Sequence, residues 1–266
     1  MKRPTHILTI LSSLFLLFSC SANPAEIEAL FISEKYEETI SEISRRLFFH
    51  VTDVKSLHMR ARSYEELKRY DEAMKDYDRI ISIDPNYAQA HAGIGKILFD
   101  KKQYSQAELY ILRASSIDPE NFEILYLAGR CELMLEKWDN AERFLKLAEK
   151  MNPDFPQTYF YTGMARANKG AVEEAAVSFN SYVQKEPDNL IARYNRGFAM
   201  MNLGYIPYAL EDFDFVLKQN PTHIEALGKK GICLALMGNP EGCQLIQEAA
   251  KKGSDYASSK MTEICS

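Results

Sequence analysis

Five prolines, Pro85, Pro119, Pro153, Pro187 and Pro221, stand 34 residues apart. No other feature restricts the fold of this chain so strongly, because a fixed period of this size marks a chain built from one repeated supersecondary unit. With the proline counted as position 32, the repeats begin at Val54, Ala88, Phe122, Pro156, Leu190 and Ile224. The other positions then fall into line. Position 8 is small throughout: Ala61, Gly95, Gly129, Gly163, Gly197 and Gly231. Position 20 is Ala73, Ala107, Ala141, Ala175 and Ala209, and position 24 is large: Tyr77, Ile111, Leu145, Phe179 and Phe213. Position 17 carries Tyr70, Tyr104, Trp138, Val172 and Ile206.

Two helices of about a dozen residues each, with two short turns, fill such a period. Positions 20, 24 and 27 follow the helical repeat and form one apolar stripe. Small residues at 8 and 20 let the paired helices approach closely, and large residues at 24 fill the space that remains. Proline stops the second helix, as at Asp84-Pro85 and Asp118-Pro119. A single hairpin cannot bury its own stripe, so neighbours must stack into a solenoid. The predicted fold is all-α.

This pattern resembles the tetratricopeptide family, whose signature is small residues at 8 and 20, a bulky residue at 24 and proline at 32. Residues 54–223 meet it in five consecutive units, 54–87, 88–121, 122–155, 156–189 and 190–223. The resemblance implies an α-α superhelical solenoid. Departures are local: His91 and Arg193 stand at the usually bulky position 4, and Glu132 and Arg166 at the usually aromatic position 11. A sixth unit, 224–257, is degenerate, with Cys243 at position 20, Gln247 at 24 and Asp255 in place of proline. A closing helix is expected from about Tyr256 to Ile264, so that 258–266 completes a C-terminal cap. Upstream, 25–53 reads as a truncated capping unit, with Tyr36-Glu37-Glu38-Thr39 in register with Tyr70-Asp71-Glu72-Ala73. Atypical end units are expected in a solenoid.

Residues 1–19 read as a leader to be set aside before fold reasoning. Lys2 and Arg3 are followed by 12 mostly apolar residues from Ile7 to Phe18, then by Leu17-Phe18-Ser19-Cys20. This resembles the lipobox of bacterial lipoproteins and implies cleavage before Cys20 and acylation of that cysteine, with residues 20–24 as a lipidated tether. Phe18 is bulkier than the usual pattern, and an ordinary secretory leader with an incidental cysteine is the alternative. No acidic cluster follows Cys20, which resembles sorting to an outer membrane facing the periplasm. Without Lys2 and Arg3 the chain keeps 30 basic against 37 acidic residues. That balance argues against nucleic acid as a partner.

In the tetratricopeptide family the first helices line a concave wall, which the resemblance assigns to positions 2, 5, 6, 9, 12 and 13. Here these positions supply Arg62, Lys96 and Arg130, then Tyr126, Phe160, Tyr161, Met164, Tyr194, Asn195, Phe198 and Met201. Phe99 and Leu133 also fall at position 12. Aromatic and thioether side chains suit recognition of a peptide or helix. The expectation is a guest with apolar anchors on Tyr126, Phe160, Tyr194 and Phe198, and acidic groups near Arg62, Lys96 and Arg130. Packing between neighbouring first helices and plain solvation are the alternatives for the aromatics and the cations. The Lys and Asn that clamp acidic chain termini in one subfamily are absent from positions 5 and 9.

Cys131 and Cys233 share position 10 with Ala165 and Ala199 and read as small core residues. Cys243 and Cys265 are the candidate disulfide, because the closing helix must fold back on the last hairpin. No cysteine or histidine spacing resembles a metal site, and no nucleophile or phosphate-loop motif stands in a fitting context. Gly93-Ile94-Gly95-Lys96 lies inside a first helix, where packing explains its glycines. No cofactor, catalytic residue or small-molecule substrate is expected. The reading is a non-enzymatic, lipid-anchored scaffold for an envelope complex, resembling pilus-assembly and outer-membrane assembly lipoproteins. An adaptor for cell-wall hydrolases or proteases is the alternative, and an enzyme the remote one.

Overall fold

The computed structural model describes residues 23–265, which form α-helices joined by short turns, with no strand among them. The expected leader, 1–19, and the expected acylation site Cys20 lie outside the described residues. Contacts divide the chain into two compact units, one through Pro119 and one from Glu120.

The first unit holds three antiparallel hairpins. They are α1 (Pro24–Ile32) with α2 (Tyr36–Phe49), α3 (Val54–Glu66) with α4 (Tyr70–Ile83), and α5 (Ala88–Asp100) with α6 (Tyr104–Ile117). The second unit holds four. They are α7 (Phe122–Met134) with α8 (Trp138–Met151), α9 (Pro156–Asn168) with α10 (Val172–Lys185), α11 (Leu190–Asn202) with α12 (Ile206–Gln219), and α13 (Ile224–Leu236) with α14 (Glu241–Lys251). A final helix, α15 (Asp255–Ile264), packs on both members of the last hairpin. Within each unit every hairpin packs on the next in chain order, the all-α solenoid arrangement.

Each first helix stops in the same way. Glu34, Lys68, Lys102, Glu136, Gly170, Gly204 and Gly238 all have positive φ and recur at the 34-residue period. The next residue's amide then reaches five residues back, as Arg69 N–H donates to the Tyr64 carbonyl at 2.8 Å and Gln103 N–H to Leu98 at 2.9 Å. This closure satisfies carbonyls that the helix end would otherwise strand. Starts are capped by side chains: Asp53, Asn121, Asn189 and Ser254 accept from the amide three residues on.

The position-8 glycines are needed for close approach. A Cβ on Gly129 would stand 2.4 Å from Leu145 Cγ, and one on Gly163 2.6 Å from the Phe179 ring. The large residue at position 24 therefore lies directly over position 8 of its own hairpin. Tyr77, Leu145, Phe179 and Phe213 are almost wholly buried there, each contributing on the order of 2 kcal/mol.

Polar residues at the two irregular positions find partners. At position 4, His91 Nε2 donates to the Pro85 carbonyl at 3.0 Å, Tyr159 Oη to Pro153 at 3.0 Å and Arg193 Nε to Pro187 at 2.9 Å. A donor one turn into the helix thus ties down the preceding proline turn. At position 11, Arg166 donates to Glu142 at 2.8 Å and to Ser178 Oγ at 2.7 Å.

Candidate functional site

First helices of successive repeats lie side by side within each unit, which brings position 6 of one repeat against positions 5 and 9 of the repeat before it. In the second unit this juxtaposition gathers most of the residues named from sequence. Tyr161 on α9 meets Tyr126 on α7 edge to face, with ring centroids 5.8 Å apart. The Arg130 guanidinium sits 5.4 Å from both ring centres. A cation so placed is attracted to the electron-rich ring faces. Phe155 and Phe122 hold Tyr126 from behind, at 5.2 and 5.8 Å. Burial, reinforced by the Tyr161 hydroxyl, pushes the Tyr126 phenol up to about 12, so it stays a neutral donor. Met164, one turn along α9 from Phe160 and Tyr161, is half-buried beside them.

Phe160 lies deeper. Its ring is 5.7 Å from Tyr182 and 6.4 Å from Phe179, and it packs against two clusters of buried residues. Asn195 spends its amide on its own helix, donating to the Ile191 carbonyl at 2.7 Å.

Three expectations are corrected. Met201 is buried, 7% exposed, in the core around Phe213, and Phe99 and Leu133 are buried likewise. At about 100° per residue, position 12 lies about 20° from position 5, on the side of the glycine at position 8, and so turns inward. Next, Tyr194 and Phe198 are half-buried and share their rings with other parts of the chain. The buried Lys229 ammonium lies 5.3 Å from the Tyr194 ring, 4.7 Å from Phe198 and 4.1 Å from Tyr256 of α15. Phe198 also meets Tyr256 edge to face at 5.7 Å, and Tyr194 meets His223 at 4.9 Å. The chain's own lysine and closing helix take up part of these two half-buried rings. Gly228 permits it, since a Cβ there would stand 3.0 Å from Ala257 Cβ.

The third correction concerns charge in the first unit. Lys96 is 2.8 Å from the Glu65 carboxylate on the neighbouring first helix, and Glu65 also accepts from the Tyr77 hydroxyl. Arg62 lies 5.0 Å from the centre of the Phe31 ring. Lys96 thus has a counter-ion within the chain, whereas Arg62 lies against an aromatic ring.

Sequence reasoning missed a repeated ion pair. Arg60 at position 7 donates twice to Asp76 at position 23, both at 2.7 Å, and Arg196 donates twice to Asp212 at the same positions of the fifth repeat. The signal was present as an Arg-to-Asp spacing of 16 residues in both repeats. Cys243 and Cys265 form a disulfide with Cα atoms 5.7 Å apart, and Cys131 and Cys233 are buried and not disulfide-bonded. Burial pushes the Cys233 thiol up to about 12.

Hairpins of this register, each with a small residue under a large one, define a helical-repeat protein. Tetratricopeptide-repeat models match residues 54–87 and again residues 93–154. The chain is a tetratricopeptide-repeat protein. Among curated proteins, Hsp70-Hsp90 organizing protein 3 of Arabidopsis thaliana is 30% identical over 77 residues, which is 29% of this chain and 14% of the plant protein. The chain therefore matches only a small part of that relative's length. Among solved structures, YrrB, described as a TPR protein with an unusual peptide-binding site, aligns over 71% of this chain and 97% of its own at 25% identity and TM-score 0.66. PilF of Pseudomonas aeruginosa aligns over 76% of this chain and 92% of its own at 14% identity and TM-score 0.65. PilW, a type IV pilus biogenesis factor, aligns over 76% and 96% at 19% identity and TM-score 0.62. The last two show the fold alone. A fold of this class is a protein-protein interaction scaffold.

Proposed function

We propose that the chain is a lipid-anchored, non-enzymatic scaffold that holds a peptide or helix of an envelope protein against the first helices of its second unit. The observation that carries this is the Tyr126, Arg130 and Tyr161 cluster, where a cation and two partly exposed phenol rings from neighbouring helices share one surface. Rings fixed by packing lose little entropy on contact, and a guanidinium held between them adds direction for a carboxylate or a carbonyl. The peptide-binding site named for YrrB supports the same use of the fold. The usable surface is narrower than the whole first-helix face, because Lys229 and α15 occupy its C-terminal end.

The Leu17-Phe18-Ser19-Cys20 sequence supports an acylated Cys20 and a periplasm-facing envelope location. Assembly or stabilisation of a membrane-associated complex is the role that joins an anchor to a peptide-gripping face. The test is capture from detergent-solubilised envelopes with wild type and with Tyr126→Ala/Tyr161→Ala. The scaffold reading predicts loss of the captured protein with an unchanged helical spectrum; equal capture by both would reject it. Loss of membrane association in Cys20→Ser tests the anchor separately.

A further inference from the structure

The last turn of α2 carries Phe48 and Phe49 at 71% and 60% exposure, with Val51 beside them at 50%. The two rings meet edge to face at 5.0 Å and form one apolar knob. Register shows how unusual this is. Counting in steps of 34, Phe48 falls where the five full repeats carry Ser82, Ser116, Lys150, Gln184 and Lys218. Val51 falls on the turn position that is proline in all five full repeats. A place that is polar in every full repeat has become a phenyl ring in the first unit.

The geometry of the first hairpin explains where this knob points. Helix α2 has 14 residues and α1 only 9. At 1.5 Å per residue, α2 runs about 7 Å beyond the start of its antiparallel partner. The extra turn is the one bearing Phe48 and Phe49. It lies at the same end of the hairpin at which the chain enters α1. Cys20 stands four residues before Pro24. Four residues span at most about 14 Å. Acyl chains on Cys20 therefore hold this end of the hairpin, and not the opposite one, within about 14 Å of the bilayer. Arg79 Nη2 donates to the Val51 carbonyl at 2.6 Å and fixes the turn that follows.

We infer that Phe48, Phe49 and Val51 form a second membrane contact, which seats in the bilayer interface next to the acylated Cys20. This rests on the lipid-anchor reading. The acyl chains set the distance of the first unit from the membrane, and the apolar knob sets its orientation. Aromatic rings favour the headgroup region, and a small apolar contact beside a covalent lipid has only to orient the protein, not to retain it.

The experiment uses the full chain with its leader, produced in a bacterial host, purified in detergent and placed in phosphatidylethanolamine–phosphatidylglycerol vesicles containing brominated lipid. Val51→Trp in a Trp138→Phe background is the reporter, and Ile32→Trp, at the other end of the hairpin, is the control. The expected result is blue-shifted, bromine-quenched emission from position 51, at least twofold less quenching when Phe48→Glu and Phe49→Glu are added, and no quenching from position 32. If the tryptophan background does not fold, a polarity-sensitive dye on Val51→Cys carries the same measurement, since Cys131 and Cys233 are buried and Cys243 and Cys265 are bonded to each other. A protein whose mass shows acylated Cys20 but whose position 51 is unquenched overturns the knob and leaves the anchor standing. Shielding of position 51 only on addition of an envelope protein also overturns it. A mass without acyl groups overturns the anchor, and the knob with it.

Discussion

The Asp212 carboxylate is fully buried and receives Arg196 side-on, from Nε to Oδ2 at 2.8 Å and from Nη2 to Oδ1 at 2.7 Å. Arg193 adds a third bond at 3.1 Å, and the remaining Arg196 nitrogen donates to Asn180 Oδ1 at 2.9 Å. The pair ties α11 to α12 and sits where Arg60 and Asp76 tie α3 to α4. Removing one member of such a pair leaves charge without its counter-ion. Asp212→Ala is expected to destabilise the second unit by about 3 kcal/mol, and Arg196→Met/Asp212→Leu by clearly less. Urea denaturation of the three proteins checks this; equal losses for single and double variants would contradict it.

The left-handed turn residues give a prediction of opposite sign. Lys102 has φ near 59°, where a side chain is strained, whereas Gly204 at φ 80° is not. Lys102→Gly is expected to stabilise by about 0.5 to 1 kcal/mol, and Gly204→Ala to destabilise by about 1 kcal/mol. Thermal midpoints moving the other way would show that these turns are set by contacts rather than by backbone preference.

His58 gives a pH dependence. Its ring packs between Tyr77 and Tyr87, at 6.1 and 5.5 Å, and burial together with the Arg62 charge pushes its pKa down to about 4. In the unfolded chain the group titrates near 6.5. Between those values the unfolded state holds more protons, so this contribution is fully present above pH ~6.5, falls as pH drops through the window and is flat below about 4. Wild type is expected to lose about 2 kcal/mol more than His58→Phe between about pH 7.5 and pH 5. Equal losses would contradict the burial of a neutral imidazole.

The repeat frame was legible in sequence because packing leaves it no freedom. Gly129 must be small if Leu145 is to lie over it, and Pro153 must follow if the second helix is to stop. What escaped sequence reading came from places where the frame slips. Helix α14 has 11 residues against 14 in the second helices before it, so α15 begins early and brings Tyr256 over Phe198. The register sets Lys229 against Tyr194 and Phe198, but only the slipped α15 adds Tyr256, so no periodic argument could complete that cluster. The Arg60 and Arg196 pairs escaped because charges were read as solvated, whereas a partner 16 residues on across a hairpin buries them.

The closing helix gives the next prediction. The Cys243–Cys265 disulfide encloses 22 residues of sequence separation. A loop of this size is held by about 3 kcal/mol of lost chain entropy in the unfolded state. Cys265→Ser is expected to raise hydrogen exchange of the α15 amides by about two orders of magnitude and to leave α7 and α9 unchanged. Unchanged exchange in α15 would show that Lys229, Tyr256 and the apolar contacts hold it without the bridge.

The central claim is that a guest lies on Tyr126, Arg130 and Tyr161. A photoreactive residue at position 161 should crosslink, in intact cells, to a defined envelope protein, and Arg130→Glu should abolish that product. The same probe at Val177, 64% exposed on α10, should not yield it. One product from both positions, or a product at 161 indifferent to Arg130→Glu, would contradict the claim.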